Sequence, residues 1–120
     1  AGLTRMIAPV RPTRKADYPE QPIDEYVART TADGLAFDPW MRTHQRLGAL
    51  VVGPCRRSMQ VVGSVAEWER WSGLRFPHSG AWAVPGGLAP VAIDYAADRG
   101  HYVEPNVWMI HAIEADGGTR

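Results

Sequence analysis

The sequence has a single cysteine, Cys55, which excludes an internal disulfide and a zinc site built from several cysteines. It also lacks any apolar run close to the roughly 20 residues that a membrane-spanning helix needs. Its first residues do not show the charged and then apolar pattern of a secretory signal. These absences predict a cytoplasmic protein without a membrane partner.

A net charge is absent too, because 13 lysine and arginine residues balance 13 aspartate and glutamate residues. Affinity for DNA or RNA depends on many contacts between basic side chains and phosphates, so we expect no nucleic-acid partner. The four histidines are too scattered to form a metal-ligand set by their spacing, and no His-Glu-x-x-His pattern is present. We therefore expect no metal.

What is present is the composition of an ordinary globular protein, since 45% of the 120 residues are hydrophobic and 22% are charged. A chain of this length usually forms one domain with one core. We predict a single α/β domain over residues 1–120. The polar residues 114–120 are predicted to be a frayed tail.

Three segments carry helix signals. Pro22 precedes an apolar spacing that predicts a short helix from Ile23 to Thr30. Asp38 and Pro39 predict a helix that runs to Leu47 and stops at Gly48. On that helix Trp40, Met41, His44 and Leu47 should share one inward face. A capping box formed by Ser64 and Glu67 predicts the third helix.

The remaining apolar runs are β-rich and predict strands. We expect Ala49–Val52 and Ser58–Val62 to pair as a hairpin, with Cys55 in the connecting turn. The other predicted strands are Arg5–Val10, Trp82–Val84, Val91–Tyr95 and Tyr102–Ile113.

Residues 37–50, FDPWMRTHQRLGAL, resemble a helix of the GNAT acyltransferases that ends in a pattern like Tyr-x-Lys-x-Gly-Phe and runs straight into a strand. Longer strings, among them IAPVRPTRKADYP and HYVEPNVWM, resemble an actinobacterial branch of GNAT-like proteins. The resemblance implies the C-terminal half of the GNAT fold. This would be a mixed, largely antiparallel sheet with two or three short helices.

The same resemblance implies a donor, which would be an acyl-CoA or an acyl carrier protein thioester. It places His44 where the family has the tyrosine that protonates the departing thiolate, and histidine can exchange protons near neutral pH. The alternative is that His44 is a packed histidine on a mostly apolar helix face. The family's Arg/Gln-x-x-Gly-x-Gly/Ala loop, which holds the CoA pyrophosphate, has no counterpart in this sequence. A second polypeptide or a second copy would have to supply it.

Polar side chains alternate along the last predicted strand. Tyr102, Glu104, Asn106 and Trp108 should lie on one face, which predicts the wall of a polar cleft. The alternative is an edge strand or an oligomer contact in which an arginine pairs with the carboxylate. Asn106 and Trp108 are candidate substrate-binding residues, and Glu104 is a candidate for orienting the acceptor.

Two further residues are candidates for substrate binding. Arg11 follows the first strand and can bind a carboxylate or a phosphate through two parallel hydrogen bonds, although a plain surface arginine is the alternative. Trp82, like Trp108, could line an apolar pocket for a small molecule.

The leading hypothesis is therefore an enzyme that transfers an acyl group from a thioester to an amine or a hydroxyl. His44 would be its acid or base. A second hypothesis is a protein that binds or cyclises a small molecule without a cofactor. A third is a structural partner that docks through an exposed strand edge.

Overall fold

The computed structural model describes residues 3–114, in which five strands form one sheet and three α-helices pack on it. The strands are β1 (Leu3–Val10), β2 (Leu50–Gly63), β3 (Gly80–Trp82), β4 (Val91–Asp94) and β5 (Arg99–Glu114). The helices are α1 (Ile23–Ala28), α2 (Pro39–Arg46) and α3 (Val65–Ser72), and a short 3-10 helix covers Thr13–Asp17.

Every strand pair in this part of the chain is antiparallel. The predicted α/β class, with a largely antiparallel sheet and two or three short helices, is thus confirmed. The arrangement is consistent with half of a GNAT-like fold. Of the predicted frayed tail at 114–120, Glu114 is the last residue of β5, and residues 115–120 lie outside the described residues.

Strand β5 organises the sheet. On one side it pairs with β2 over most of its length. On its other side, β4 pairs with residues 99–101 and β1 pairs with residues 107–114. Within the described chain, residues 102–106 of β5 therefore have no neighbouring strand on that side, and a gap opens between β1 and β4.

The predicted hairpin is wrong, because residues 50–63 form one continuous strand that pairs with β5. Between Cys55 and Met59 the strand advances four residues while β5 advances two, so the excess is absorbed as a bulge. None of residues 53–57 has the positive φ that a tight hairpin turn requires. The 16-residue partner strand β5 is long enough to pair with both halves of β2. Cys55 therefore lies opposite Asn106 rather than in a turn.

The predicted helix starts are confirmed. The Asp38 carboxylate accepts hydrogen bonds from the amides of Trp40 and Met41, and Ser64 and Glu67 form the capping box of α3. The predicted inward face of α2 is only partly correct. Met41 is buried, but Trp40 is half exposed, and Leu47 lies just past the helix end with 80% of its surface exposed.

The two faces of the sheet carry separate cores. Helices α1 and α2 cover the face to which Val107 and Met109 of β5 belong. Helix α3 and the segment around Phe76 cover the opposite face, to which Tyr102 belongs. Because side chains alternate along a strand, the odd-numbered residues of β5 face α1 and α2 and the even-numbered residues face the other way.

The molecule is flat and extended, with dimensions of 57 × 33 × 20 Å. Its radius of gyration is 17.7 Å, whereas a compact chain of this length would have about 14 Å. Its accessible surface of 7234 Å² also exceeds the roughly 6400 Å² expected for its mass. One end of the sheet is uncovered, because Ile7 and Leu50 flank Ile110 on the α3 face and are more than half exposed.

Among residues 3–114 the α-helices are six to eight residues long, and none is long and apolar enough to cross a membrane.

Candidate functional site

A cleft opens in the gap beside β5, on the face of the sheet that α3 covers. Its volume is about 210 Å³. The lining includes apolar, aromatic and backbone surfaces together with one acidic and one basic side chain; these residues are Arg11, Val61, Trp68, Val84, Pro85, Gly86, Gly87, Tyr102 and Glu104. Arg11 and Glu104 are both candidates predicted from the sequence, and the structure brings these two side chains together.

Glu104 is the acidic centre of the cleft and is 6% exposed. Its Oε1 atom accepts a hydrogen bond from the Tyr102 hydroxyl at 3.0 Å and another from Arg11 Nε at 3.2 Å. The carboxylate is thus paired by an arginine, as one alternative predicted, but β5 is a central strand and not an edge. The pairing offsets the cost of burying the charge.

Arg11 stands at the mouth of the cleft, one residue after β1 ends. Besides Glu104, it contacts the loop after β3, because its Nη2 atom donates to the carbonyl oxygen of Gly86 at 2.8 Å. Gly86 has a φ of +75°, a conformation that side chains with a Cβ rarely adopt. The glycine thus shapes the loop whose carbonyl meets the guanidinium.

The Tyr102 hydroxyl forms hydrogen bonds with both Glu104 and the loop that follows β3. The hydroxyl donates to Glu104 and accepts a hydrogen bond from the amide of Leu88 at 3.0 Å. Burial, and secondarily the hydrogen bond to the Glu104 carboxylate, raise the pKa of the Tyr102 phenol above its ordinary value, although the Leu88 amide acts in the opposite direction. The phenol therefore remains a donor throughout the physiological pH range.

Lys15 fixes the same loop from behind. It is the single lysine in the chain and is 1% exposed, and its Nζ atom donates to the carbonyl oxygens of Tyr18, Pro19 and Leu88. Burial lowers the pKa of this ammonium group. The Leu88 peptide is thus held by Lys15 on its carbonyl side and by Tyr102 on its amide side.

Trp68 of α3 forms an aromatic wall of the cleft. Its ring packs against the backbone of Gly100, where an added Cβ would lie 2.2 Å from the ring atom Cδ1. Its indole nitrogen donates to the Gly100 carbonyl oxygen at 2.9 Å. A glycine is therefore required at position 100 for α3 to approach β5 this closely.

His44 lies elsewhere, on the opposite face of the sheet. Its Nδ1 atom is 2.9 Å from Nε2 of His111 in β5, and the Trp40 ring packs against it. Glu104 and His111 are seven positions apart on β5 and so point to opposite faces. Burial, and then the nearby His111, lower the pKa of His44. His44 and Glu104 do not share a site.

The other residues predicted from the sequence are not among the lining residues of the cleft. Asn106 is buried beyond Glu104 and donates to Ser58 Oγ at 2.8 Å, while its Oδ1 atom is buried without a partner among the described residues. Trp108 lies farther along the same face, opposite Pro9. Trp82 packs against Phe76 and donates to the His78 carbonyl. The prediction that side chains alternate between the two faces of β5 is correct. The tryptophan that lines the cleft, however, is Trp68.

Lys15 and the loop glycines were missed as site residues. Their role depends on hydrogen bonds between residues that are 73 to 75 positions apart in the sequence, and local sequence patterns do not predict such contacts. The lone lysine in an arginine-rich chain was a weak hint.

The described residues do not fit the pyrophosphate of CoA, because the helix starts are already occupied by acidic groups. Asp38 caps α2 and also accepts the Arg14 amide, while Glu67 and Asp98 take the first amides of α3. The six-residue α1 begins after Pro22 with Asp24 and Glu25 in its first turn. Carboxylates at these positions repel a phosphate. No group of three or more metal-binding side chains occurs in residues 3–114.

The chain resembles one curated enzyme in sequence. It is 33% identical over 127 aligned positions to the arginine N-acetyltransferase avaD of Aspergillus versicolor. The relative is an acetyltransferase. The alignment covers 90% of this chain but 43% of that enzyme, so the chain spans less than half of its relative's length. No family model matches the sequence, and no solved structure matches it significantly. The resemblance to an actinobacterial branch stays a prediction.

Proposed function

We propose that this chain is the acceptor-binding part of an acyltransferase that transfers an acyl group from a thioester to an amine, and that the amine binds in the cleft at Glu104. The observation that carries the proposal is the sequence similarity to an N-acetyltransferase over 90% of the chain, together with a charged cleft in the same chain. Arginine, the substrate in the relative's name, is the first acceptor to test.

Glu104 is suited to an amine acceptor. No described residue donates to its Oε2 atom, and that atom is not among the fully buried polar atoms without a partner, so it is accessible from the cleft. In acyl transfer the amine nitrogen bonds to the acyl carbon, the carbon–sulfur bond breaks, and the amine loses a proton. A fixed carboxylate in contact with the amine can orient it and accept that proton.

The donor would be held by a second polypeptide or a second copy of the chain, because the helix starts of this chain do not suit a pyrophosphate. Support comes from the flat shape and from the uncovered apolar end of the sheet, where Ile7 and Leu50 flank Ile110. Ile110, like Glu104, is even-numbered on β5, so a partner packed there would lie on the cleft face.

His44 as the acid that protonates the thiolate stays a prediction of the resemblance. A donor that reached His44 would have to approach the face covered by α2.

The first experiment measures N-acetylarginine by mass spectrometry after incubation of acetyl-CoA and arginine with the chain and any co-purifying polypeptide. We expect the variant E104Q to reduce turnover about 100-fold, which corresponds to about 2.7 kcal/mol. The matched control R57Q changes an exposed arginine outside the cleft and should leave turnover unchanged. Turnover by E104Q equal to that of the unmodified chain would contradict the proposal.

The second experiment determines the solution mass by light scattering and thioester binding by calorimetry. The unmodified chain should exceed the 13.2 kDa of a monomer or retain a partner, and L50E should lose that association. If neither the chain nor its assembly binds acetyl-CoA at millimolar concentration, acyl transfer is wrong. Cofactor-free binding of a small molecule, favoured by the carboxylate-capped helix starts, would then explain the cleft.

A further inference from the structure

We infer that the cleft recognises a free α-amino acid, with Arg11 binding its carboxylate and Glu104 binding its amine. The inference rests on the proposed function in that both concern the same site, but it adds the class of acceptor. It would exclude simple amines, amino-acid amides and peptide-bound side chains as good acceptors.

Arg11 has hydrogen-bonding capacity to spare. A guanidinium group carries five N–H bonds, and Arg11 uses one on Nε for Glu104 and one on Nη2 for Gly86. No described residue accepts from the other three, and 43% of the side chain is exposed. The arginine is held in place by two contacts and lines the cleft with three N–H bonds that have no partner among the described residues. The edge of a guanidinium group matches a carboxylate with two parallel hydrogen bonds.

Glu104 complements this arginine. Its Oε1 atom is occupied by Tyr102 and Arg11, which fixes the orientation of the carboxylate, while Oε2 has no partner among the described residues. A ligand amine at Oε2 would therefore lie next to a ligand carboxylate at Arg11. An α-amino acid carries these two groups on one carbon atom.

The charge balance of the cleft favours such a ligand. Of the nine lining residues, Arg11 and Glu104 are the charged ones, and they have opposite signs. A ligand with one positive and one negative group gives both Arg11 and Glu104 a partner of opposite charge when it displaces water from the cleft. A ligand with a single charge competes with the existing ion pair and leaves one group without a replacement partner, which is costly in a partly buried site.

The size of the site agrees with one amino acid. The volume is about 210 Å³, and Trp68, Val61 and Val84 provide apolar surface beside the charged pair. The methylene groups of a long side chain can pack there, and the indole face can attract a cationic end group.

The test is calorimetric titration of the chain, in the assembly in which it purifies, with arginine, with agmatine and with N-acetylarginine. Agmatine lacks the carboxylate, and N-acetylarginine has a blocked amine. We expect both to bind at least about tenfold more weakly than arginine, because each loses a hydrogen bond between charged groups. Equal affinity for arginine and agmatine would overturn the inference.

Three variants assign the roles. R11Q should weaken arginine binding about tenfold and should not weaken agmatine binding, because agmatine then no longer competes with the ion pair, so that the preference for arginine disappears. R11K keeps the charge but loses the planar fork, and should restore part of it. E104Q should weaken arginine and agmatine alike. The control R57Q should change neither affinity. Retention of the full preference for arginine by R11Q would overturn the role of Arg11.

The inference and the proposed acyl transfer can fail separately. Acetylation of arginine and agmatine at equal rates would overturn the inference and leave acyl transfer standing. Selective binding of arginine without acetylation, in the presence of a partner that binds acetyl-CoA, would overturn acyl transfer and support the inference.

Discussion

The two faces of β5 carry two polar pairs that differ in character. On one face, Arg11 and Glu104 form an ion pair beside an open cleft, and Lys15 and Tyr102 support the surrounding loop. On the other face, His44 and His111 share one hydrogen bond between rings beneath α2. The ion pair keeps unused donors and an unused acceptor beside an open cleft, whereas the unused Nδ1 atom of His111 is buried. Spare hydrogen-bonding capacity that opens onto a cleft, rather than the presence of a histidine, therefore distinguishes the face that we propose binds a ligand.

The largest expected effect concerns the wall of the cleft. Gly100→Ala would place a Cβ 2.2 Å from Trp68 Cδ1, so α3 must shift, and we expect a loss of about 3 kcal/mol in the free energy of unfolding. Gly53→Ala is the matched control, because Gly53 lies in β2, has no positive φ and has open space where its Cβ would be. Urea denaturation measures both variants. Equal stability of the two would mean that the wall is not held by this contact.

A somewhat smaller effect is expected when the loop loses its support. Lys15→Met removes the donor to the buried Leu88 carbonyl, and leaving such a group unsatisfied should cost about 2 kcal/mol. Arg57→Met removes an exposed basic side chain and should have no measurable effect. Thermal unfolding followed by circular dichroism distinguishes them. A Lys15→Met protein as stable as Arg57→Met would show that the loop does not depend on Lys15.

The histidine pair predicts a pH dependence of stability. Because the folded chain lowers the pKa of His44, the unfolded chain binds more protons once the pH falls below about 6.5. The stability associated with neutral His44 is thus present above that value and is lost as the pH falls through the folded pKa. His111→Gln removes the smaller of the two causes that lower the pKa of His44 and should reduce this dependence between pH 7.5 and 5.5, whereas His78→Gln, at an exposed histidine, should not. Identical profiles for both variants would count against coupling between the two rings.

The smallest effect is expected at the exposed ion pair between Arg56 and Asp24. Both groups are in water, where such a pair contributes little. Arg56→Gln should leave stability, and amino-acid binding in the cleft, indistinguishable from those of the unmodified chain. A clear loss of stability would mean that the β2 bulge depends on this contact.

Much of the local structure could be predicted from the sequence, because its causes are local. The caps at Asp38 and Ser64 and the alternation of Tyr102 and Glu104 depend on residues within a few positions. The hairpin failed because a bulge in β2 is stable only against β5, about 50 residues away. Arg11 and Glu104 could be proposed separately, but their contact spans 93 positions and depends on the gap between β1 and β4. The sequence also could not show that His44 and Glu104 lie on opposite faces of the sheet, since that depends on which face α2 covers.

We propose that acceptors bind on the face of β5 that carries Arg11 and Glu104, and titration of isotopically labelled protein with arginine, followed by NMR, tests this site. We expect shifts for the amides of Gly86, Leu88 and Glu104 and for the Trp68 indole, with none for the ring protons of His44 and His111. Shifts confined to the two histidines, or no saturable shifts in the cleft at millimolar arginine, would contradict it.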